Sequence, residues 1–139
     1  MGQLDAGINP FDNSVMIKRP IRVALVDDDA SVRKALARVL AASSFDIRTF
    51  ASAAEFLASL KAGHPDCLLL DLHMPEFNGI ELQHYLAKTR ISLPTIIITA
   101  HDEPGLRGRC KLAGAAAFLL KPLDRTALVN AINDLAGRT

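Results

Sequence analysis

Residues 21–40, Ile-Arg-Val-Ala-Leu-Val-Asp-Asp-Asp-Ala-Ser-Val-Arg-Lys-Ala-Leu-Ala-Arg-Val-Leu, set the pattern for the whole chain. Ile21–Val26 is short, apolar and β-branched, which reads as a buried strand. Asp29 and Ser31 are both able to cap a following helix, because a short polar side chain accepts from the unpaired first-turn N–H groups. Beyond them Val32, Leu36, Val39 and Leu40 share one helical face, while Arg33, Lys34 and Arg38 lie elsewhere. One strand followed by one amphipathic helix is the unit, and the chain repeats it.

Working outward, Phe45, Ile47 and Thr49 alternate with polar residues, as in a strand with one wetter face. Ser52 opens a helix through Phe56, Leu57 and Leu60 that closes near Gly63 and Pro65. Cys67–Leu70 is an apolar run ending at Asp71. After a loop with Met74-Pro75 and Asn78-Gly79, a helix is expected to turn Leu82, Tyr85 and Leu86 inward. Thr95–Thr99 is a further buried strand. A weak helix over 104–113 contains Gly105 and Gly108, each costing about 1 kcal/mol against Ala, and puts Leu106 and Cys110 on one side. Ala115–Leu120 is the fifth strand. Asp124 caps a last helix that buries Leu128, Ala131, Ile132 and Leu135.

Five strand-then-helix units imply an α/β fold with a parallel sheet covered on both faces. Right-handed crossovers make it doubly wound, with its site beyond the carboxyl ends of the strands. The bulk properties agree. A chain of 139 residues, half of them apolar, fits one domain. A net charge of +1 makes no case for nucleic acid or membrane. Cys67 and Cys110 lack ligand spacing and read as free thiols. With no signal pattern and no run long enough to span a bilayer, a cytoplasmic location is expected. Residues 1–20, rich in Gly, Asn, Asp and Pro, read as an irregular arm before a domain over 21–139, and Met16 is a candidate start.

The carboxyl ends of the strands carry the chemistry. Asp27-Asp28-Asp29 follow the first, Asp71 the third, Thr99 the fourth and Lys121-Pro122 the fifth. Clustered carboxylates raise one another's pKa values unless a cation compensates. Mg²⁺ prefers such oxygens and keeps waters that a phosphate can replace. Asp71 can act as a nucleophile forming an aspartyl phosphate, with Lys121 pairing to the phosphoryl oxygens and Thr99 donating its hydroxyl. Taken singly, these residues fit as well to turn, cap and surface positions; the case rests on their joint placement.

Four motifs taken together resemble the receiver domain of two-component response regulators: VDDD at 26–29, LLLDLHMP at 68–75 with Gly79, ITA at 98–100 and AGAAAFLLKP at 113–122. That resemblance implies a flavodoxin-like (βα)5 fold with strand order 2-1-3-4-5. It implies Asp71 as the phosphoacceptor, Asp28 as a direct Mg²⁺ ligand and Asp27 as the acid acting on the metal mainly through water. The His73 backbone carbonyl completes the protein ligands. It further implies Thr99 and Phe118 as the switch pair, Lys121 as the phosphate-pairing lysine and Lys121-Pro122 as a cis bond. His73 and His101 stand where side chains tune loss of the phosphoryl group. Ala115–Ala117 depart from the family, which more often has polar residues there.

The implied partners are a sensor histidine kinase or a phosphotransfer protein. Phosphorylation would bias the surface formed by the fourth helix, fifth strand and fifth helix, with a homodimer as one outcome. A phosphoacceptor of this kind is a switch and not a turnover enzyme. An aspartyl phosphohydrolase of the haloacid-dehalogenase type would carry an Asp where His73 stands, and a flavin carrier would need a phosphate loop where Asp27–Asp29 stand. The sequence ends at Gly137-Arg138-Thr139, just past the last helix, so this polypeptide is expected not to bind DNA alone. A stand-alone receiver and a piece of a DNA-binding regulator both fit.

Overall fold

The structure is a computed structural model; it describes residues 19–74 and 78–136. The expectations for residues 1–18, for Pro75 and for the last three residues lie outside them. The elements alternate as read: β1 (Arg22–Val26), α1 (Ala30–Ala42), β2 (Asp46–Phe50), α2 (Ala53–Ser59) with a 3₁₀ turn (Leu60–Ala62), β3 (Cys67–Asp71), α3 (Gly79–Lys88), β4 (Thr95–Thr99), α4 (Leu106–Leu112), β5 (Ala117–Leu120) and α5 (Arg125–Leu135). The five strands form one parallel sheet in the order β2-β1-β3-β4-β5.

The sheet separates two cores by strand parity. Val23, Leu25, Leu69, Ile96 and Ile98 pack with Leu40 of α1 and with Leu128 and Ile132 of α5. Ala24, Val26, Leu68, Leu70 and Ile97 pack with Phe56 of α2, Leu82 and Leu86 of α3, and Leu106 and Cys110 of α4. β3 and β4 are therefore buried at every position, as expected for strands covered on both faces. β2 and β5 are edges and stay partly exposed. Burial pushes the Cys67 thiol up to about 12, so both cysteines, free and buried, behave as core residues.

Local chemistry fixes the helix starts. Asp29, not Ser31, caps α1, accepting from the Ser31 and Val32 backbone N–H groups. Ser52 and Asp124 cap α2 and α5. Asn78 and Glu81 form a reciprocal capping box at α3, a signal legible in the Asn-x-x-Glu spacing.

Two expectations need correction. Tyr85 does not turn inward but is 44% exposed. The buried face of α3 is centred on Gly79, Leu82, Gln83 and Leu86, and a residue three after Leu82 falls to one side of it. Gln83 takes the inward place, donating to the Thr95 hydroxyl at 3.0 Å, which satisfies its buried amide. Gly105 is not inside α4; it precedes it with φ +80, a left-handed conformation that glycine adopts without strain. Only Gly108 weakens the helix interior.

Gly79 carries a packing constraint of another kind. A Cβ there would lie 3.1 Å from the Leu72 Cα and 3.3 Å from the Asp71 carbonyl oxygen. Gly79→Ala is therefore expected to destabilise the fold by about 1–3 kcal/mol through backbone displacement next to Asp71. Urea unfolding read beside Gly108→Ala, whose Cβ meets nothing within 4 Å, checks this: equal effects from the two would refute it.

Candidate phosphorylation site

Strand order reverses at β1, which lies between β2 and β3. The connections leave the sheet in opposite directions there, opening a crevice at the carboxyl ends of β1 and β3. Asp27 follows β1 directly and Asp71 is the last residue of β3. Asp27, Asp28 and Asp71 each offer a carboxylate oxygen, all within 4.8 Å of one another. Topology thus brings together acids 44 positions apart.

Asp27 is fully buried and held from four sides. Its N–H donates to the Phe50 carbonyl at 3.1 Å, and its own carbonyl accepts from the Arg33 guanidinium at 2.7 Å. One carboxylate oxygen accepts from the Asp29 N–H at 2.9 Å; the other accepts from the Lys121 ammonium at 2.9 Å. Asp28 is exposed at the mouth. The Lys121 ammonium also lies 3.5 Å from an Asp71 carboxylate oxygen, and its backbone N–H is tied to the Thr99 carbonyl at 2.8 Å. The Lys121-Pro122 bond is cis, as the resemblance implied.

The charges interact strongly. Burial, followed by the negative charge of Asp27, pushes the Asp71 carboxyl up to about 6, with Lys121 pulling it the other way. For Lys121, burial works against the charged form, but the hydrogen bond to Asp27 and the charge of Asp71 outweigh it and hold the ammonium above its ordinary range. The cluster is short of positive charge even with Lys121 in place. Three carboxylates around a partly open position are a hard-cation donor set, so the residues fit a divalent ion.

Thr99 is buried at the end of β4. Its hydroxyl is engaged with His101, donating to the carbonyl and accepting from the N–H, both at 3.3 Å. Phe118 lies on β5 beside Ile97 of β4 and packs against the core under α4. The Arg107 guanidinium sits 4.7 Å from its ring centroid and 3.5 Å from Asp102. His73 and His101, both exposed, meet edge to face with ring centroids 5.9 Å apart. His64 and His84 are exposed elsewhere.

Sequence reasoning missed Arg33 and Arg107. Arg33 reads as a residue off the apolar face of α1, yet it braces the backbone of Asp27. Arg107 reads as one exposed charge among several on α4, and only the packing of α4 on β5 sets it over Phe118. A cation over an aromatic face contributes about 0.5–1 kcal/mol at an exposed site. Arg107→Gln is expected to cost about that much and to raise the mobility of Phe118. Ring ¹³C relaxation of Phe118 unchanged in the variant would count against it.

Residues 23–133 match the family model described as the response regulator receiver domain. The chain is 36% identical over 110 residues to the transcriptional regulatory protein FixJ of Rhizobium meliloti, covering 79% of this chain and 54% of that protein. It is 38% identical over 112 residues to the transcriptional regulatory protein TdiR of Thauera aromatica, covering 80% and 49%. The chain thus spans about half the length of these curated relatives. The crystal structure of FixJ-N superposes with a TM-score of 0.80 at 33% identity, covering 88% of this chain and 98% of that one. The signal receiver domain of the response regulator NarL from Mycobacterium tuberculosis gives 0.79 at 31% identity, covering 88% and 100%. With its sheet order, its acid cluster and these similarities in agreement, the chain belongs to the response regulator receiver domain family of two-component signalling.

Proposed function

We propose that Asp71 takes a phosphoryl group from a sensor histidine kinase or phosphotransfer protein, with Mg²⁺ beside it, and that this switches a docking surface. The observation that carries the reading is the set of Asp27, Asp28 and Asp71 oxygens within 4.8 Å, with Lys121 bonded to Asp27 and close to Asp71. Asp28, Asp71 and the His73 carbonyl would hold the ion directly, and Asp27 through water. When bound, Mg²⁺ offsets negative charge on the phosphoryl group.

The remaining work falls to this chain. An Asp71 carboxylate oxygen attacks phosphorus, a new O–P bond forms, and the donor's bond to phosphorus breaks with its electron pair leaving on the donor. Lys121 pairs with a phosphoryl oxygen. The Thr99 hydroxyl gives up its contacts with His101 and donates to the phosphoryl group, while Phe118 moves into the space released. The new charge and acceptor oxygens supply the differential contacts that bias the two states. The α4-β5-α5 face is the surface read by partners or by a second copy; it exposes Leu112 at 90% and Leu120 at 38%. His73 and His101 flank the site as tuning residues for phosphoryl loss. The role is that of a switch in the domain over 21–139, with residues 1–20 as an arm, and a cytoplasmic setting suits it. No helix among the described residues is long and apolar enough to cross a membrane.

A second reading, that this chain is the receiver part of a DNA-binding regulator, is supported by relatives named as transcriptional regulatory proteins, of which the matched region covers 54% and 49%. Intact-protein mass spectrometry with acetyl phosphate and Mg²⁺ tests the switch. The expected result is a gain of one phosphoryl group, lost in Asp71→Asn and without Mg²⁺. No gain, or a gain that survives in Asp71→Asn, sinks the proposal.

A further inference from the structure

We infer that His73 and His101 form a second metal site, distinct from the acid cluster and suited to a borderline-soft divalent ion such as Zn²⁺. Two exposed imidazoles meet edge to face, with centroids 5.9 Å apart and planes inclined at 67°. Two imidazoles sharing one tetrahedral ion at Zn–N distances of about 2.0–2.1 Å carry centroids roughly 5–6 Å apart, so the resting spacing is close to a chelating one.

The backbone places the two residues side by side. His73 lies two residues beyond Asp71, which pairs with Ile98 of β4, and the intervening Leu72 N–H donates to the Ile98 carbonyl at 3.0 Å. His101 is clamped through its own N–H and carbonyl to the Thr99 hydroxyl. Neighbouring strand ends therefore present the pair together, which shortens the search for a shared ion. Ligand chemistry separates the two sites. Carboxylates suit Mg²⁺, whereas imidazoles suit Zn²⁺, Ni²⁺ and Cu²⁺. Water would fill the positions that the two histidines leave.

The position of His101 couples this site to the switch, a step that rests on the proposed function. Thr99 must release His101 to reach a phosphoryl group. An ion that fixes His101 favours the resting pairing, and by linkage the phosphoryl-bound state must bind that ion more weakly.

Calorimetric titration of the full chain with Zn²⁺, in saturating Mg²⁺, tests the site. The expected result is one site whose affinity falls by about tenfold or more in His73→Gln and in His101→Gln. His84→Gln and Asp28→Asn should leave it intact. No binding, affinity unchanged in both histidine variants, or loss only in Asp28→Asn would overturn the site. Since both rings are exposed, these variants should fold, and matching circular dichroism spectra check that they do. Beryllofluoride at Asp71, imitating the phosphoryl group, is expected to weaken Zn²⁺ binding about fivefold or more. Unchanged affinity with beryllofluoride bound overturns the coupling but not the site. If Asp71 accepts neither phosphoryl group nor beryllofluoride, the switch reading fails while the Zn²⁺ result stands by itself.

Discussion

Lys121→Met is expected to destabilise the metal-free protein by about 3 kcal/mol. The Lys121 ammonium donates to the buried Asp27 carboxylate at 2.9 Å and lies 3.5 Å from Asp71. Breaking a buried pair by removing one partner leaves a desolvated charge without compensation, at a cost of about 3–5 kcal/mol. The low end applies because Lys121 retains some solvent contact and the Asp29 N–H still bonds to Asp27. The methionine keeps the aliphatic bulk, so the loss reports charge and not packing. Mg²⁺ should restore much of it, since a cation that binds the folded state stabilises by mass action. Urea unfolding with and without Mg²⁺ measures both effects. A loss below about 1 kcal/mol would mean that the pair acts as an ordinary exposed salt bridge.

Asp71→Asn is expected to have the opposite sign. The folded carboxyl is raised to about 6, above an unfolded value of about 3.9. The folded state therefore binds this proton more tightly than the unfolded chain does. The stability that this contributes is fully present below about pH 4 and is lost as pH rises through about 6. Asparagine does not titrate, so the variant should gain on the wild type across that window. The gain by pH 7.5 is about 2–3 kcal/mol relative to pH 4. Saturating Mg²⁺ should shrink it, because the ion favours the charged carboxylate that the variant lacks. Unfolding of both proteins at a series of pH values without metal is the measurement. A difference that does not change with pH would remove the charge-repulsion account of this site.

The two variants examine one arrangement from opposite sides. A cluster that holds too much negative charge is stabilised by each cation it gains and each acid it loses. Such strain at a binding site is the usual cost of a strong preference for a ligand.

Much of this was legible in the linear sequence, for physical reasons. Strand and helix alternation follows from side-chain periodicity, and periodicity is a property of neighbours along the chain. Cys67–Leu70 and Thr95–Thr99 read as buried strands because burial on both faces favours a nearly continuous apolar run. Caps such as Asp29, Ser52 and Asp124 act over two or three residues, so they too are local. The acids and Lys121 could be placed at one mouth because each ends a strand, and a parallel sheet puts all those ends on one side.

Other features required the packed molecule. Which face of α3 is buried depends on the angle at which the helix meets the sheet, and that angle put Gln83 inside and left Tyr85 outside. Gly105 reads as part of a helix, but its positive φ is set by how the chain enters α4 from the loop before it. Arg33 under Asp27 and Arg107 over Phe118 are encounters between residues whose own stretches of sequence carry no sign of them, and the resemblance that put His73 and His101 at the site did not give their ring contact. The sequence by itself determined the elements, their parallel order of use and the residues at the strand ends, since these depend on local periodicity and chain direction. Tertiary structure alone decided distances, partners and the raised pKa of Asp71, because charge and contact depend on separation in space, which neighbours in sequence do not specify.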